Sequence, residues 1–343
     1  MDLSIIVPVY NVEDYLVRCL DSIFKQQGAV TFEVIAVEDR STDRSLEILR
    51  SYQEKQPGLT VIEHDRNRRL SAARTTGMKA AKGRYIMHVD SDDWLLPGAL
   101  AELRPFLERG FADVVIFNYA KANELGGLRA VRKIESKREG ELHESMLPEF
   151  FRSCWSKVVK RDLTGDMVYH ELSLNHSEDF VLGVEIFIRA NTVMLVPGVY
   201  YAYFQNAASL TRTVGIQESI ENRVHALEAL VLLAQRYGPC GQVIGKALEY
   251  QVRRIHKRIA QHSLTETGDV EWEPLLRVID ELDKQQVLSQ EITRSVVSVT
   301  ARLRSLYKYW GPRVMLSYVI NGLLFPREGG GWRRGSKRGE KAW

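Results

Sequence analysis

The stretch LSIIVPVYNVEDYLVRCLDSIF, residues 3–24, contains the two hydrophobic periods on which the fold depends. Its first seven residues, Leu3 to Val9, form a continuous apolar run of the kind that marks a strand buried on both faces. After the polar interruption, apolar side chains recur at helical spacing, namely at Leu16, Cys19, Leu20, Ile23 and Phe24. The stretch therefore predicts a buried strand followed by an amphipathic helix.

The same alternation of strand and helix continues to about residue 119. Apolar runs predict further strands at residues 32–37, 59–64, 85–89 and 113–119, with helices between them. The helix at residues 71–83 is rich in small residues and is expected to end at Gly83. Charged residues and glycine at 124–144 predict a loop or a weak hairpin. Because alternating strands and helices are joined by right-handed crossovers, we expect an α/β fold with a mostly parallel sheet covered on both faces.

Composition limits the class of protein. The chain has 343 residues, of which 45% are apolar and 27% charged, as in a globular protein with a sizeable core. The N-terminus lacks the basic-then-apolar order of a signal peptide, and no window approaches the roughly 20 apolar residues that cross a bilayer. Three scattered cysteines, Cys19, Cys154 and Cys240, indicate buried thiols in a reducing compartment. We therefore expect a cytoplasmic protein.

The region beyond residue 213 differs from the first part. Its pattern is helical, and we predict an α/β domain at 1–213, a helical domain at 214–326 and a basic tail at 327–343. The tail has six basic and two acidic residues, a net charge of +4, and it follows an apolar segment at 314–325. With the basic cluster at 253–258, these features favour contact with the inner, anionic face of a membrane. The alternative is a packed helical domain with a solvated tail, and no module that reads nucleic acid is present.

Polar clusters follow three of the predicted strands. The sequence YN follows the first strand, EDRSTD the second and DSDDW the fourth. Ligands of parallel α/β sheets bind outside the carboxyl ends of the strands, so we expect Tyr10, Asp39 and Asp90 to lie at one rim. Arg74, near the start of the small-residue helix, would join them beside a helix N-terminus suited to phosphate.

The acidic turn at residues 90–93 indicates a metal site. A divalent cation would allow Asp90 and Asp92 to remain ionised together, and carboxylate ligands favour Mg²⁺ or Mn²⁺ over zinc. The alternative is a solvated turn in which Asp93 caps the next helix. The position at the end of an apolar central strand favours the metal site.

Several motifs together resemble those of a known family. LSIIVPVYNVEDYLVRCLDSI, VEDRSTDRSLEIL, SAARTTGMKAAKGRYIMHVDSDDWL and SEDF are similar to motifs of the inverting family 2 glycosyltransferases of the GT-A fold. The likeness covers residues 1 to about 212 and is greatest to bacterial enzymes that build surface polysaccharides. It implies transfer of a hexosyl or N-acetylhexosaminyl group from a nucleotide-sugar, expected to be a UDP-sugar, to a hydroxyl of a glycan or lipid-linked glycan. Mn²⁺ or Mg²⁺ would be the cofactor.

The resemblance implies roles in donor binding. Pro8 and Tyr10 would line the nucleoside pocket, Asp39 would accept the N3–H of uracil, and Arg74 would lie near the base or the diphosphate. The usual Asp-Gly-Ser of the family is Asp39-Arg40-Ser41 here. Arg40 is unfavourable if this turn is left-handed, because the conformation suits glycine.

The acidic turn and a distant arginine would complete the donor site. The resemblance implies that Asp90 lies against the ribose with Ser91 beside it, and that Asp92 binds the metal ion bridging the diphosphate. Arg212, in SLTRT, is where the family often has a polar residue that closes over the diphosphate. A surface arginine is the alternative.

The resemblance also implies a catalytic base, Asp179, in the sequence SEDF. Glu178 would be structural. A purely structural alternative is that Ser177 caps a helix whose first turn carries acidic residues because they favour the helix dipole. The two interpretations are compatible, since a helix N-terminus also fixes the direction of a carboxylate.

Other residues allow more than one interpretation. His170, His176 and Glu178 match no metal-binding spacing, so an acceptor pocket or a loop surface is favoured over a metal cluster. Trp94 and Trp155 could stack on sugar rings or pack in the core.

Competing functions are weaker. A dinucleotide dehydrogenase or a nucleotidyltransferase would need a glycine-rich loop after the first strand, and VPVYNVEDY contains no glycine. A catalytically inactive module of the GT-A fold that binds glycans or nucleotides is the remaining alternative.

Overall fold

The structure is a computed structural model that describes residues 1–26, 30–124, 126–131, 134–141, 153–172, 174, 177–205, 216–238, 243–247, 250–251 and 254. These residues form one curved sheet of ten strands with helices packed on it. The strands are β1 Leu3–Val9, β2 Phe32–Glu38, β3 Leu59–Glu63, β4 Tyr85–His88, β5 Trp94–Leu95, β6 Val114–Ala122, β7 Leu128–Val131, β8 Arg138–Glu141, β9 Lys157–Lys160 and β10 Thr192–Phe204. The helices are α1 Glu13–Phe24, α2 Ser45–Gln53, α3 Arg69–Ala80, α4 Ala99–Arg109, α5 Glu178–Arg189 and α6 Ile216–Tyr237. Two 3₁₀ helices cover Arg161–Thr164 and Val168–Glu171.

The opening stretch folds as predicted. All seven residues of β1 are buried, because the strand lies between β2 and β4 and is parallel to both. The apolar stripe of α1 is buried as well. At about 25 cal/mol for each Å² of apolar surface removed from water, this strand and helix contribute much of the hydrophobic stabilisation of the N-terminal half.

The sheet is parallel in its first half and mixed in its second. The strand order is β3-β2-β1-β4-β9-β6-β10-β5, and β9 lies antiparallel between β4 and β6. The prediction of a mostly parallel sheet therefore holds for β1–β4. Strand β10 was not predicted, because Pro197 and Gly198 interrupt its apolar pattern where the register with β6 shifts.

Residues 124–144 contain strands that join the main sheet. β7 pairs with β6 and β8 pairs with β10, both antiparallel. The interpretation of this segment as a loop or a weak hairpin is wrong for the residues described here, because each strand pairs with a different strand of the main sheet.

Close packing explains the small residues of α3. A Cβ atom at Gly77 would lie 2.4 Å from the side chain of Ile6, so only glycine lets the helix approach β1 this closely. The helix ends at Ala80, and Ala81 is extended. The prediction that Gly83 closes the helix as a left-handed cap is therefore wrong. Glycine is required there because a Cβ atom would lie 2.5 Å from the carbonyl carbon of Leu3.

The start of the predicted helical domain packs on the sheet domain. The phenol of Tyr237 in α6 donates to Glu185 Oε1 in α5 at 2.7 Å, and Tyr250 stacks on Phe180 with ring centroids 5.5 Å apart. The predicted domain boundary remains a prediction, and the apolar segment and the basic tail lie outside the described residues. Among the helices that are described, none is long and apolar enough to cross a bilayer.

Candidate functional site

The carboxyl ends of β1 and β2 lie side by side at one rim of the sheet. The backbone N–H of Asp39 donates to the carbonyl of Val9 at 2.9 Å, and Asn11 N–H donates to Ser41 Oγ at 3.1 Å. Pro8 is buried within β1, whereas Tyr10 leaves 45% of its surface exposed at the rim. A half-exposed aromatic ring beside a buried carboxylate is suited to packing against a flat ligand.

The turns at this rim are strained. Among the described non-glycine residues, positive φ angles occur at Asn11, Arg40, Arg69 and Ser177. Arg40 has φ of 65°. The turn is therefore left-handed, the conformation in which an arginine is less favourable than the glycine usual in the family. Glu38 holds the turn, because its carboxylate accepts from Arg40 N–H and Ser41 N–H at 3.1 and 2.5 Å. Strain of this kind, of order 1–3 kcal/mol per residue, is common at functional sites.

Asp39 is held by residues from two further elements. Its Oδ1 contacts His64 Nδ1 at 2.6 Å and accepts from Arg68 N–H at 2.7 Å. The opposite ring nitrogen, His64 Nε2, contacts Thr76 Oγ1 in α3 at 2.9 Å. A carboxylate, an imidazole and a hydroxyl therefore form a chain across the rim.

Arg74 connects two acidic clusters that are distant in sequence. It lies in the second turn of α3, not at its start, and it is almost completely buried. Its Nη1 donates to Glu178 Oε1 at 2.6 Å and its Nη2 to Asp90 Oδ1 at 2.8 Å. The expected position beside the helix N-terminus is therefore wrong, because the guanidinium points inward. Its contact with a base or diphosphate remains a prediction.

The three aspartates of the turn after β4 have different environments. Asp93 is fully buried, and its carboxylate accepts from the phenol of Tyr201 at 2.6 Å and from Phe204 N–H at 2.7 Å. The predicted role of Asp93 as a helix cap is wrong, since these contacts attach the turn to β10. The Tyr201 oxygen also accepts from Asp90 N–H at 3.1 Å, so one phenol holds both ends of the turn.

The carboxylate of Asp92, unlike those of Asp90 and Asp93, accepts no hydrogen bond from another side chain or from a distant backbone N–H among the described residues. Its backbone carbonyl accepts from Arg18 Nη2 at 2.9 Å, which fixes the backbone and leaves the carboxylate for other contacts. Burial, with the nearby charge of Asp90, raises the pKa of Asp92 to about 6. Neighbouring carboxylates with a raised pKa are chemically suited to a divalent cation, which would favour their ionised form.

The two candidate tryptophans have packing roles. Trp155 is buried and stacks on Tyr201, with ring centroids 4.6 Å apart. Trp155 also stacks on Tyr203, with ring centroids 5.4 Å apart. The indole ring therefore packs in the core and is not available to stack on a sugar ring. Trp94 is covered by the guanidinium of Arg18, which lies 4.0 Å from the ring centroid and also holds Asp92.

Glu178 and Asp179 begin α5 and point in different directions. Ser177 has φ of 62° and makes no side-chain capping hydrogen bond, so the prediction that it caps the helix is wrong. Glu178 is buried against Arg74. Asp179 is partly buried, and its Oδ1 accepts from Phe180 N–H at 2.7 Å.

Burial, with the nearby charges of Glu178 and Asp90, raises the pKa of Asp179 to about 7, and Arg74 opposes this rise. A carboxylate with a pKa near neutrality can accept a proton efficiently at physiological pH, as a general base requires.

Of the remaining candidates, His170 lies in the described part of the chain. His170 is half-buried, with Nε2 2.7 Å from the carbonyl of Thr164 and Nδ1 3.3 Å from Thr75 Oγ1. His176 and Arg212 lie outside the described residues. Within the described ranges, no group of three or more His, Cys, Asp or Glu side chains could hold a metal ion.

Two residues of the site were missed in the sequence. His64 directly follows β3, so its position at the end of a strand was itself a signal. Tyr201 lies in the strand that was not predicted, and no local pattern indicates its contact with Asp90 and Asp93.

Comparisons with known proteins identify the family of the chain. Residues 4–168 match the model of Glycosyl transferase family 2. The glycosyltransferase EpsJ of Bacillus subtilis is 30% identical over 250 residues, which cover 69% of this chain and 71% of EpsJ. The chain belongs to glycosyl transferase family 2. Glycosyltransferase GlyA of Streptococcus pneumoniae is 30% identical over 301 residues, covering 83% of this chain but only 42% of GlyA.

The fold also matches a solved family structure. The crystal structure of Staphylococcus aureus TarS residues 1–349 with UDP-GlcNAc has a TM-score of 0.68 and 21% identity, and the match covers 94% of this chain and 92% of that one. The predicted GT-A fold and the resemblance to glycosyltransferases of bacterial surface polysaccharides are confirmed.

Proposed function

We propose that this glycosyltransferase is metal-dependent and inverting, and that it transfers a sugar from a UDP-sugar to a hydroxyl of a glycan or lipid-linked glycan in bacterial surface-polysaccharide synthesis. The observation that carries the proposal is the buried Arg74 guanidinium. It contacts Asp90 of the proposed donor site and Glu178, which directly precedes the proposed base Asp179. Arg74 thus connects the proposed donor site to the residue beside the proposed base, which supports the fixed geometry that a single displacement needs.

In this mechanism, Asp179 accepts the proton of the acceptor hydroxyl while the oxygen attacks the anomeric carbon. The bond from that carbon to the diphosphate breaks on the opposite face, so the anomeric configuration is inverted. Burial, together with electrostatic repulsion from Glu178 and Asp90, raises the pKa of Asp179 to about 7, which favours general-base catalysis near neutral pH.

The chemistry of the acidic turn fits a divalent cation. Asp92 would hold the ion, and the diphosphate and water would complete the coordination, as is usual for Mg²⁺ sites with few protein ligands. The bound ion would offset the negative charge that develops on the leaving diphosphate. Arg18 and Tyr201 keep the turn in place through contacts to Asp92 and Asp93.

The donor site is proposed to consist of Pro8, Tyr10, Asp39, Arg74, Asp90, Ser91 and Arg212. The buried carboxylate of Asp39 next to exposed Tyr10 supports a nucleoside pocket at the ends of β1 and β2. Ser91 is buried within the acidic turn and lies between Asp90 and Asp92 in the sequence, which supports its inclusion.

A panel of UDP-sugars tests the proposal. Release of UDP is measured with Mn²⁺, with Mg²⁺ and with EDTA, and Asp179→Asn serves as the matched blank. We expect metal-dependent release from at least one donor and none above background in the variant. Binding of UDP-sugars without any release from the native chain, with or without glycan acceptors, would instead favour an inactive binding module.

We also propose that the C-terminal region holds the enzyme at the cytoplasmic membrane surface. The support is compositional, since each basic residue near an anionic surface contributes about 1 kcal/mol. The native chain should co-sediment with phosphatidylglycerol vesicles at low salt. Truncation after Tyr309 should abolish co-sedimentation and preserve UDP binding. Phosphatidylcholine vesicles are the control. Failure of the native chain to bind the anionic vesicles at low salt would contradict the proposal.

A further inference from the structure

The contacts of Asp39 are distributed unevenly over its two oxygen atoms. In the described part of the chain, both hydrogen bonds to the carboxylate end on Oδ1, from His64 and from Arg68 N–H. Each carboxylate oxygen offers about two acceptor positions. These contacts therefore occupy Oδ1 and leave Oδ2 as the acceptor for a ligand. Only 4% of the side chain remains exposed, so a ligand can approach it only through a narrow opening.

The hydrogen bonds also determine which ring nitrogen of His64 carries a proton. An ionised carboxylate can only accept hydrogen bonds, so Nδ1 must donate to Asp39. In the neutral ring, Nε2 is then an acceptor, and the hydroxyl of Thr76 must donate to it across 2.9 Å. Thr76 lies on α3, which packs against β1 and β2, so the chain attaches the carboxylate to a rigid helix.

This arrangement distinguishes between nucleobases. Uracil presents a single imide N–H between two carbonyl groups, and one free carboxylate oxygen matches it. Cytosine has a lone pair at the same ring position and would face the carboxylate with two acceptors. Guanine presents adjacent N1–H and N2–H donors, which match a carboxylate with both oxygens available, but Oδ1 is already occupied by His64 and Arg68.

We propose that His64 is the positioning residue that makes the donor site specific for uridine nucleotides, by occupying Asp39 Oδ1 and holding Oδ2 toward the base. This inference rests on the proposed function, because it assumes that Asp39 meets the nucleobase. It assigns the selection of the base to a residue that need not touch the nucleotide. His64 is therefore a positioning residue and not a catalytic one.

Calorimetry with UDP, CDP and GDP on four chains tests the inference. These are the native chain, His64→Leu, His64→Asn and Thr76→Val. His64→Leu removes both ring contacts, and we expect UDP affinity to fall about tenfold, the value of one well-placed hydrogen bond. GDP affinity should rise because one acceptor position of Oδ1 becomes available, while Arg68 N–H still occupies the other. His64→Asn can present an amide N–H near the position of Nδ1, so it should retain most of the preference for UDP. Thr76→Val should give an intermediate loss.

The outcomes separate this inference from the proposed function. If the native chain binds no nucleotide, the proposed function fails. If it prefers UDP and a folded His64→Leu chain keeps the native ratio of UDP to GDP affinity, only the role of His64 is overturned. Nitrogen-15 NMR of the native His64 ring gives a second measurement in case His64→Leu does not fold. The Nδ1–H tautomer supports the inference, and the Nε2–H tautomer overturns it.

Discussion

The acidic turn at Asp92-Asp93 and the acidic start of α5 at Glu178-Asp179 use the same arrangement. In each pair, one carboxylate accepts a hydrogen bond from a partner distant in sequence, namely Asp93 from Tyr201 and Glu178 from Arg74. Burial and neighbouring charge raise the pKa of the other, to about 6 for Asp92 and about 7 for Asp179. The order is reversed, since the member with the proposed chemical role comes first in one pair and second in the other.

The comparison shows how a protein keeps one carboxylate of a pair available for chemistry. In each pair the hydrogen-bonded member fixes the backbone. Beyond burial, the charge of Glu178 contributes to the raised pKa of Asp179, whereas at Asp92 the contributing charge is that of Asp90. Adjacent acidic residues therefore have separate roles, and substitution of each should have a different consequence.

The largest effect is expected at Asp92. Asp92→Asn should abolish metal-stimulated UDP release because the amide is a poor ligand for a hard cation, while the melting temperature stays near that of the native chain. Asp93→Asn is the matched control. It should lower stability by about 1–3 kcal/mol, since it disturbs two buried hydrogen bonds, and retain metal stimulation in the folded fraction. Full activity of Asp92→Asn, or of the native chain in EDTA, would contradict the metal assignment.

The next largest effect is expected at the base. Asp179→Asn should reduce turnover about 10²- to 10⁴-fold, the usual contribution of a general base, with UDP affinity nearly unchanged in calorimetry. Glu178→Gln should keep measurable turnover, because the amide oxygen can still accept from Arg74. If the two variants exchange these phenotypes, the roles within the pair are reversed.

Removal of the Arg74 guanidinium should mainly lower the free energy of unfolding, with any effect on turnover following from that loss of stability. Arg74→Met leaves the buried Glu178 and the partly buried Asp90 without their partner, and loss of one member of a buried ion pair costs about 3–5 kcal/mol. Denaturant unfolding measures this cost. Arg74→Lys is the control that keeps the charge but cannot contact both carboxylates through a planar fork, so it should be intermediate. Native stability in Arg74→Met would show that the ion pairs are energetically unimportant.

The smallest effect concerns pH. Asp179 must be ionised to accept a proton, so turnover should fall as the pH drops below about 7. Charges from several elements face this carboxylate: Glu178 of α5, Arg74 of α3, Asp90 after β4 and Lys157 of β9. Glu178→Gln removes one negative neighbour, which should lower the pKa of Asp179 and move the acid limb of the pH–rate profile down by about one unit. An unchanged limb would mean that another group controls it.

Much of the fold follows from local patterns. The apolar run at Leu3–Val9 and the helical spacing after it require only side-chain periodicity, and both elements form as predicted. Strand β10 was missed because its partners, not its own pattern, determine it. The long-range register with β6 compensates for the interruption at Pro197 and Gly198.

The sequence by itself determined the family, the GT-A sheet and the carboxylates that gather at its rim, because strand polarity brings the ends of parallel strands together. Only the tertiary structure decided how each carboxylate is used. Asp93 is hydrogen-bonded to Phe204, 111 residues away in the sequence, and Glu178 to Arg74, 104 residues away. No local pattern specifies such pairs. The physical reason is that hydrogen bonding and burial set the chemistry of a carboxyl group, and both depend on neighbours that only the folded chain supplies.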